Sequence, residues 1–108
     1  MNATVWDDEL ARFKKLNLRK KGIWASLIIF QLSIYARSTY EPGTEQVLHP
    51  KYLRRFNELV HRISSWQRDI LMNASGTSDD DIFEMISDEL EYLKVPSEPL
   101  IAFLTKFV

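Results

Sequence analysis

The chain has 108 residues, 45% of them apolar and 27% charged, with a formal net charge of −1. That is the length of one domain with enough apolar material for a core, so a disordered chain is excluded and a single domain over residues 1–108 is expected. The absence of cysteine removes disulfides, thiol nucleophiles and thiolate metal sites together, and favours a reducing, cytoplasmic setting.

The first residues run acidic through Asp7-Asp8-Glu9, where a secretory leader is basic and then apolar. The longest apolar stretch, residues 23–36, is interrupted by Ser26, Gln31 and Ser33. It falls short of the ~20 residues that a helical span needs, so no membrane partner is expected. Charge is uneven along the chain. Residues 1–11 carry three acids and no base, residues 12–72 carry twelve bases against four acids, and residues 73–108 carry two bases against eight acids. A near-neutral protein accounts for this most simply if its acidic last third lies against its own basic neighbours.

Thr4 followed by Asp7 has the spacing of a capping box, and Trp6, Leu10, Phe13 and Leu16 then mark an apolar stripe. Helix one is expected to carry acids in its first turn and Lys14, Lys15, Arg19, Lys20 and Lys21 towards its end, with Gly22 as a stop or hinge. Residues 23–37 are rich in β-branched and aromatic side chains. Apolar groups fall on both parities, however, and about fourteen residues is long for a strand. Drawn as a helix at ~100° per residue, Ser26, Ser33 and Arg37 gather on one strip, which predicts a central, mostly buried second helix.

Glu41-Pro42-Gly43-Thr44 is a strong turn signal inside a predicted loop over residues 38–49. Pro50 suits the first position of helix three. Tyr52, Leu53, Phe56, Leu59, Val60, Ile63, Trp66, Ile70 and Leu71 follow at three- and four-residue steps, predicting a long amphipathic helix to Leu71. Residues 73–78, with Gly76, end it. Ser78 and Asp81 make a second capping box, and Ile82, Phe83, Ile86, Leu90 and Leu93 share one face of helix four, which stops before Pro96. Ser97-Glu98-Pro99 can start a short fifth helix, Leu100–Phe107, which completes an all-α bundle of four main helices.

The two histidines are the first candidates for chemistry. His61 falls with Arg54, Glu58 and Ser65 on the polar side of helix three, and Glu58 precedes Arg62 at the spacing of a helical ion pair. Arg55-Phe56-Asn57-Glu58-Leu59-Val60-His61 resembles the arginine and histidine spacing of the HEPN ribonucleases, small helical bundles that are often dimeric and cleave RNA without metal. The resemblance implies catalysis by His61 with Arg55 or Arg54, and Glu58 beside them. Phe56 stands where that family usually has a polar residue. Six residues along an unbroken helix also turn Arg55 and His61 ~120° apart.

Other chemistry has little to stand on. Asp79-Asp80-Asp81 lacks the alternating ligands, glycine and distal glutamate of a calcium loop, and two histidines twelve residues apart without cysteine do not make a zinc site. No metal and no cofactor is expected. Lys14, Lys15, Arg19, Lys20 and Lys21 are the candidates for gripping nucleic acid, against a pI near 6.1. Elimination leaves a non-enzymatic module that binds another protein and forms a homodimer. Its expected contacts are the apolar flank of helix three with Arg54, Glu58, Arg62 and Trp66, and the C-terminal Phe103 and Phe107.

Overall fold

The computed structural model describes the backbone of residues 3–38, 50–74 and 76–108, with side chains over residues 5–34, 53–74 and 76–108. These residues form five helices: α1 (Ala3–Lys14), α2 (Leu18–Ser38), α3 (Pro50–Leu71), α4 (Asp79–Tyr92) and α5 (Ser97–Phe107). The all-α bundle with a short C-terminal helix is the observed architecture, and α3 has the bounds its periodicity predicts. The predicted loop with its Pro42-Gly43 turn, and His49, lie outside the described residues.

Contacts between helices fix an up-and-down order. Trp24 of α2 reaches Glu9 of α1, Gln67 of α3 reaches Gly22 of α2, and Arg55 and Trp66 of α3 reach Glu89 and Asp79 of α4. Early residues of α2 meet late ones of α3, and the two ends of α3 meet the opposite ends of α4, so α2 and α3, and α3 and α4, run antiparallel. Lys14–Asp80, at 2.7 Å, joins the end of α1 to the start of α4. Residues 15–17, 72–74 and 76–78 therefore lie at the same end of the bundle.

The first two helices divide earlier than expected. The break is at residues 15–17, where the Asn17 side chain accepts the Lys20 backbone N–H at 2.9 Å and caps α2. Thr4 is already inside α1, and Asp7, Asp8 and Glu9 fall beyond its first turn. Arg19, Lys20 and Lys21 open α2 instead of closing α1. Gly22 is no hinge. It lies buried within α2, where a Cβ would stand 3.1 Å from a Leu71 methyl carbon, so its lack of a side chain lets α2 approach the end of α3. The Gln67 amide completes that contact by donating to the Gly22 carbonyl and the Ser26 hydroxyl, each at 2.7 Å.

Aromatic rings from four helices fill the centre. Phe13 lies 5.1 Å from Trp24, 5.3 Å from Trp66 and 5.3 Å from Phe83, centroid to centroid, and Trp24 stacks on Phe83 at 4.8 Å. Around them α3 buries Phe56, Leu59 and Ile63, and α4 buries Ile82, Ile86 and Leu90. Each indole N–H in this core has an acceptor: Trp6 donates to Ser97, Trp24 to Glu9 and Trp66 to Asp79, at 2.9, 3.0 and 3.0 Å. Glu9 is only 3% exposed and also accepts two hydrogen bonds from Arg12, at 2.6 and 2.8 Å. Those hydrogen bonds raise the Arg12 pKa above its ordinary value, against the opposing effect of burial. Helix α5 begins at Ser97, in the Ser97-Glu98-Pro99 segment read as its start, and the buried Ser97 hydroxyl accepts from Trp6.

The ends of α3 and α4 are both built on left-handed residues. Asn73 has φ 52°, with Asn73 N–H bonded to Ile70 O and Ala74 N–H to Asp69 O, the paired bonds of a Schellman end. Lys94 repeats the arrangement at φ 58°, with Lys94 N–H to Glu91 O and Val95 N–H to Leu90 O. At the start of α4, Ser78 accepts from the Asp81 N–H as its spacing predicts. A lysine with a Cβ in the left-handed region costs about 1 kcal/mol relative to glycine. Lys94→Gly is therefore expected to stabilise the fold by about that amount, as read from urea unfolding midpoints; destabilisation would contradict the assigned turn.

Candidate functional site

The outward side of α3 presents Arg54, Glu58, His61 and Arg62 to solvent. Arg55, one step further round, faces α4. Its guanidinium donates to both Glu89 carboxylate oxygens, at 2.9 and 2.6 Å, and its central carbon lies 3.7 Å from the Tyr92 ring centroid. The hydrogen bonds to Glu89 come first among the causes that push its pKa well above the ordinary value. A planar fork matched to a carboxylate is the strongest use of an arginine side chain, and here that use is internal.

Arg55 and His61 line different recesses. Arg55, with Glu58, Arg62 and Glu89, borders one of about 80 Å³. His61, with Ser65, Asp69 and Thr77, borders one of about 200 Å³, and Arg62 and Met85 stand between the two. Both are smaller than the ~300 Å³ at which small-molecule sites begin. The arrangement that the HEPN resemblance implies, with arginine and histidine converging on one phosphate, is not assembled within one chain. The expected Glu58–Arg62 pair is not formed either. Arg62 instead points Nη1 at the Met85 sulfur, 3.6 Å away, and the ion pairs among the described residues are Glu9–Arg12, Lys14–Asp80 and Arg55–Glu89.

The apolar flank of α3 is consumed by the core. Trp66, expected to meet a partner, is 2% exposed and tied to Asp79. Phe103 is half-buried and Phe107 is 57% exposed, with their rings 4.9 Å apart. The largest apolar surface missed by sequence reasoning is on α2. Ala25, Ile28 and Leu32 are buried, but Ile23, Phe30 and Ile34 are exposed by 39%, 56% and 40%, with Leu27 half-buried between them. Their spacing of four, three and four was legible as a second stripe. It was masked because a helix apolar on nearly every side reads as buried on every side.

The charged clusters are only partly neutralised. Lys14 pairs with Asp80, and Lys21 sits 5.5 Å from the Phe13 ring centroid. Lys15, Arg19 and Lys20 are exposed and make no ion pair among the described residues. The acidic α4 does lie against bases of α1 and α3, through Lys14–Asp80 and Arg55–Glu89, yet Glu84 and Asp88 face outward. With Asp7 and Asp80 they rim a groove of about 360 Å³ over Trp6 and Phe83. Sequence reasoning did not find this groove, because Asp7 and Glu84 are brought together only by the packing of α1 on α4. Among the described residues, no three histidine or acidic side chains converge to hold a metal ion.

No family model matches the chain, and neither a curated protein nor a solved structure matches it significantly. Purified protein is expected to leave single-stranded RNA uncleaved in the presence of chelator. Cleavage that disappears in His61→Ala would instead favour the ribonuclease chemistry that the resemblance implies.

Proposed function

We propose that the protein is a non-enzymatic helical module that acts by binding protein and pairs with a second copy through the outward face of α2. One observation carries the reading. The chain buries all three tryptophans, at 2% exposure or less, yet leaves Phe30 56% exposed beside Ile23 on the same helix. A fold able to bury its largest rings this completely has no packing reason to keep a phenylalanine in water. Clustered apolar side chains of this kind are what the centres of protein interfaces contain.

The α2 face replaces the flank of α3 in this account, since that flank is already the core. Helix α5, which packs against α2, carries a further exposed ring, Phe107. Pairing of two identical faces across a two-fold axis is the commonest way a small chain covers such a strip. Arg54, Glu58 and Arg62 on α3 remain exposed as a polar surface for a further protein partner. A cytoplasmic setting accords with the lack of cysteine.

Sedimentation velocity at tens of micromolar is expected to give twice the chain mass, and Phe30→Glu is expected to give the monomer with an unchanged far-ultraviolet spectrum. A wild-type monomer at that concentration would overturn the self-pairing.

A further inference from the structure

We propose that the end of the bundle formed by the α1–α2 and α3–α4 turns docks on an anionic lipid surface. This surface adjoins the α2 face at Ile23 but uses other residues, and the proposal does not depend on that reading. Its first support is the placement of charge. The first turn of α2 contains Arg19, Lys20 and Lys21 and no acid, although the helix dipole makes that end unfavourable for cations. Lys15, Arg19 and Lys20 have no ion-pair partner among the described residues. Arg68, in the last turn of α3, is exposed at the same end.

The second support is the aliphatic surface set among these cations. Leu18, Leu71 and Met72 are exposed by 51%, 50% and 73%. Leu71 rests on Gly22, and Leu18 borders a recess with Lys21, Ile70 and Asn73, so these side chains belong to one tip. Acids are present there too, but Asp80 is paired with Lys14 and Asp79 accepts from Trp66. A neutral indole leaves the Asp79 charge in place, so Asp69, Asp79 and Asp81 stand against Lys15, Arg19, Lys20, Lys21 and Arg68, an excess of two cations. The outward acids Glu84 and Asp88 line the groove between α1 and α4. A chain of net charge −1 with this distribution is a dipole that turns its cationic tip towards a negative plane.

Flexible aliphatic tips ringed by lysine and arginine suit a bilayer interface, where the apolar groups enter the acyl boundary and the cations meet headgroups. Nucleic acid would use the cations and leave the aliphatic groups in water. Protein interfaces select against lysine and for aromatic rings. No helix among the described residues is long and apolar enough to cross a membrane, so the contact is peripheral.

The test is flotation of the full chain with vesicles of phosphatidylcholine mixed with phosphatidylserine, against phosphatidylcholine alone. Binding is expected only to the mixed vesicles and to fall steeply with salt. Alanine at Lys15, Arg19 or Lys20 is expected to weaken it about five-fold each, from the ~1 kcal/mol that a surface cation contributes. Leu18→Ser and Met72→Ser are expected to weaken it with charge and far-ultraviolet spectrum unchanged. Failure to float with mixed vesicles at low salt would overturn the proposal. So would equal binding to phosphatidylcholine alone. Binding that ignores Leu18→Ser and Met72→Ser and is displaced by short duplex DNA would assign the tip to nucleic acid instead.

Discussion

An indole buried away from water keeps one N–H donor that must find an acceptor, and leaving it unmade costs about 1–3 kcal/mol. Three such donors organise this bundle. Trp6, Trp24 and Trp66 crowd around Phe13 and Phe83, and their partners Ser97, Glu9 and Asp79 come from α5, α1 and the start of α4. The hydrophobic rings alone would tolerate sliding and rotation of the helices. The donor–acceptor pairs remove that freedom, because a shift of one helical turn would strand an N–H in an apolar centre. Among the described residues no buried side-chain nitrogen or oxygen lacks a partner.

Glu9 is the most demanding of the three acceptors. A carboxylate at 3% exposure is costly unless both oxygens are occupied, and Arg12 and Trp24 together occupy them. This ties the register of α1 against α2 to one side chain. The connection between them is only residues 15–17, with Asn17 capping the next helix.

Local rules read α3 and α4 well from the sequence. Pro50, the three- and four-residue apolar steps and the Ser78 cap each act within a few residues, so their spacing is sufficient. The α1–α2 boundary was misplaced because Gly22 carries a stronger generic stop signal than Asn17. Only the approach of Leu71 shows that this glycine serves packing. Glu9 was legible as an acid on a helix and illegible as a core residue, since its partner Trp24 is fifteen positions away. The candidate constellation on α3 suffered in the same way. Arg54, Glu58 and His61 are where the helical wheel puts them, but the fate of Arg55 depends on Glu89 and Tyr92 of another helix.

The core takes up every tryptophan and the apolar flank of α3, so the proposed surfaces are the outward strip of α2, the charged tip and the polar side of α3. All depend on the helices being held in one arrangement by the buried hydrogen bonds, so that claim is the one to test first. The direct measurement is a double-mutant cycle of Glu9→Ala and Trp24→Phe by urea unfolding. The account expects each change to destabilise and the pair to be less than additive, with a coupling of about 1 kcal/mol or more. Additivity within about 0.5 kcal/mol would contradict it.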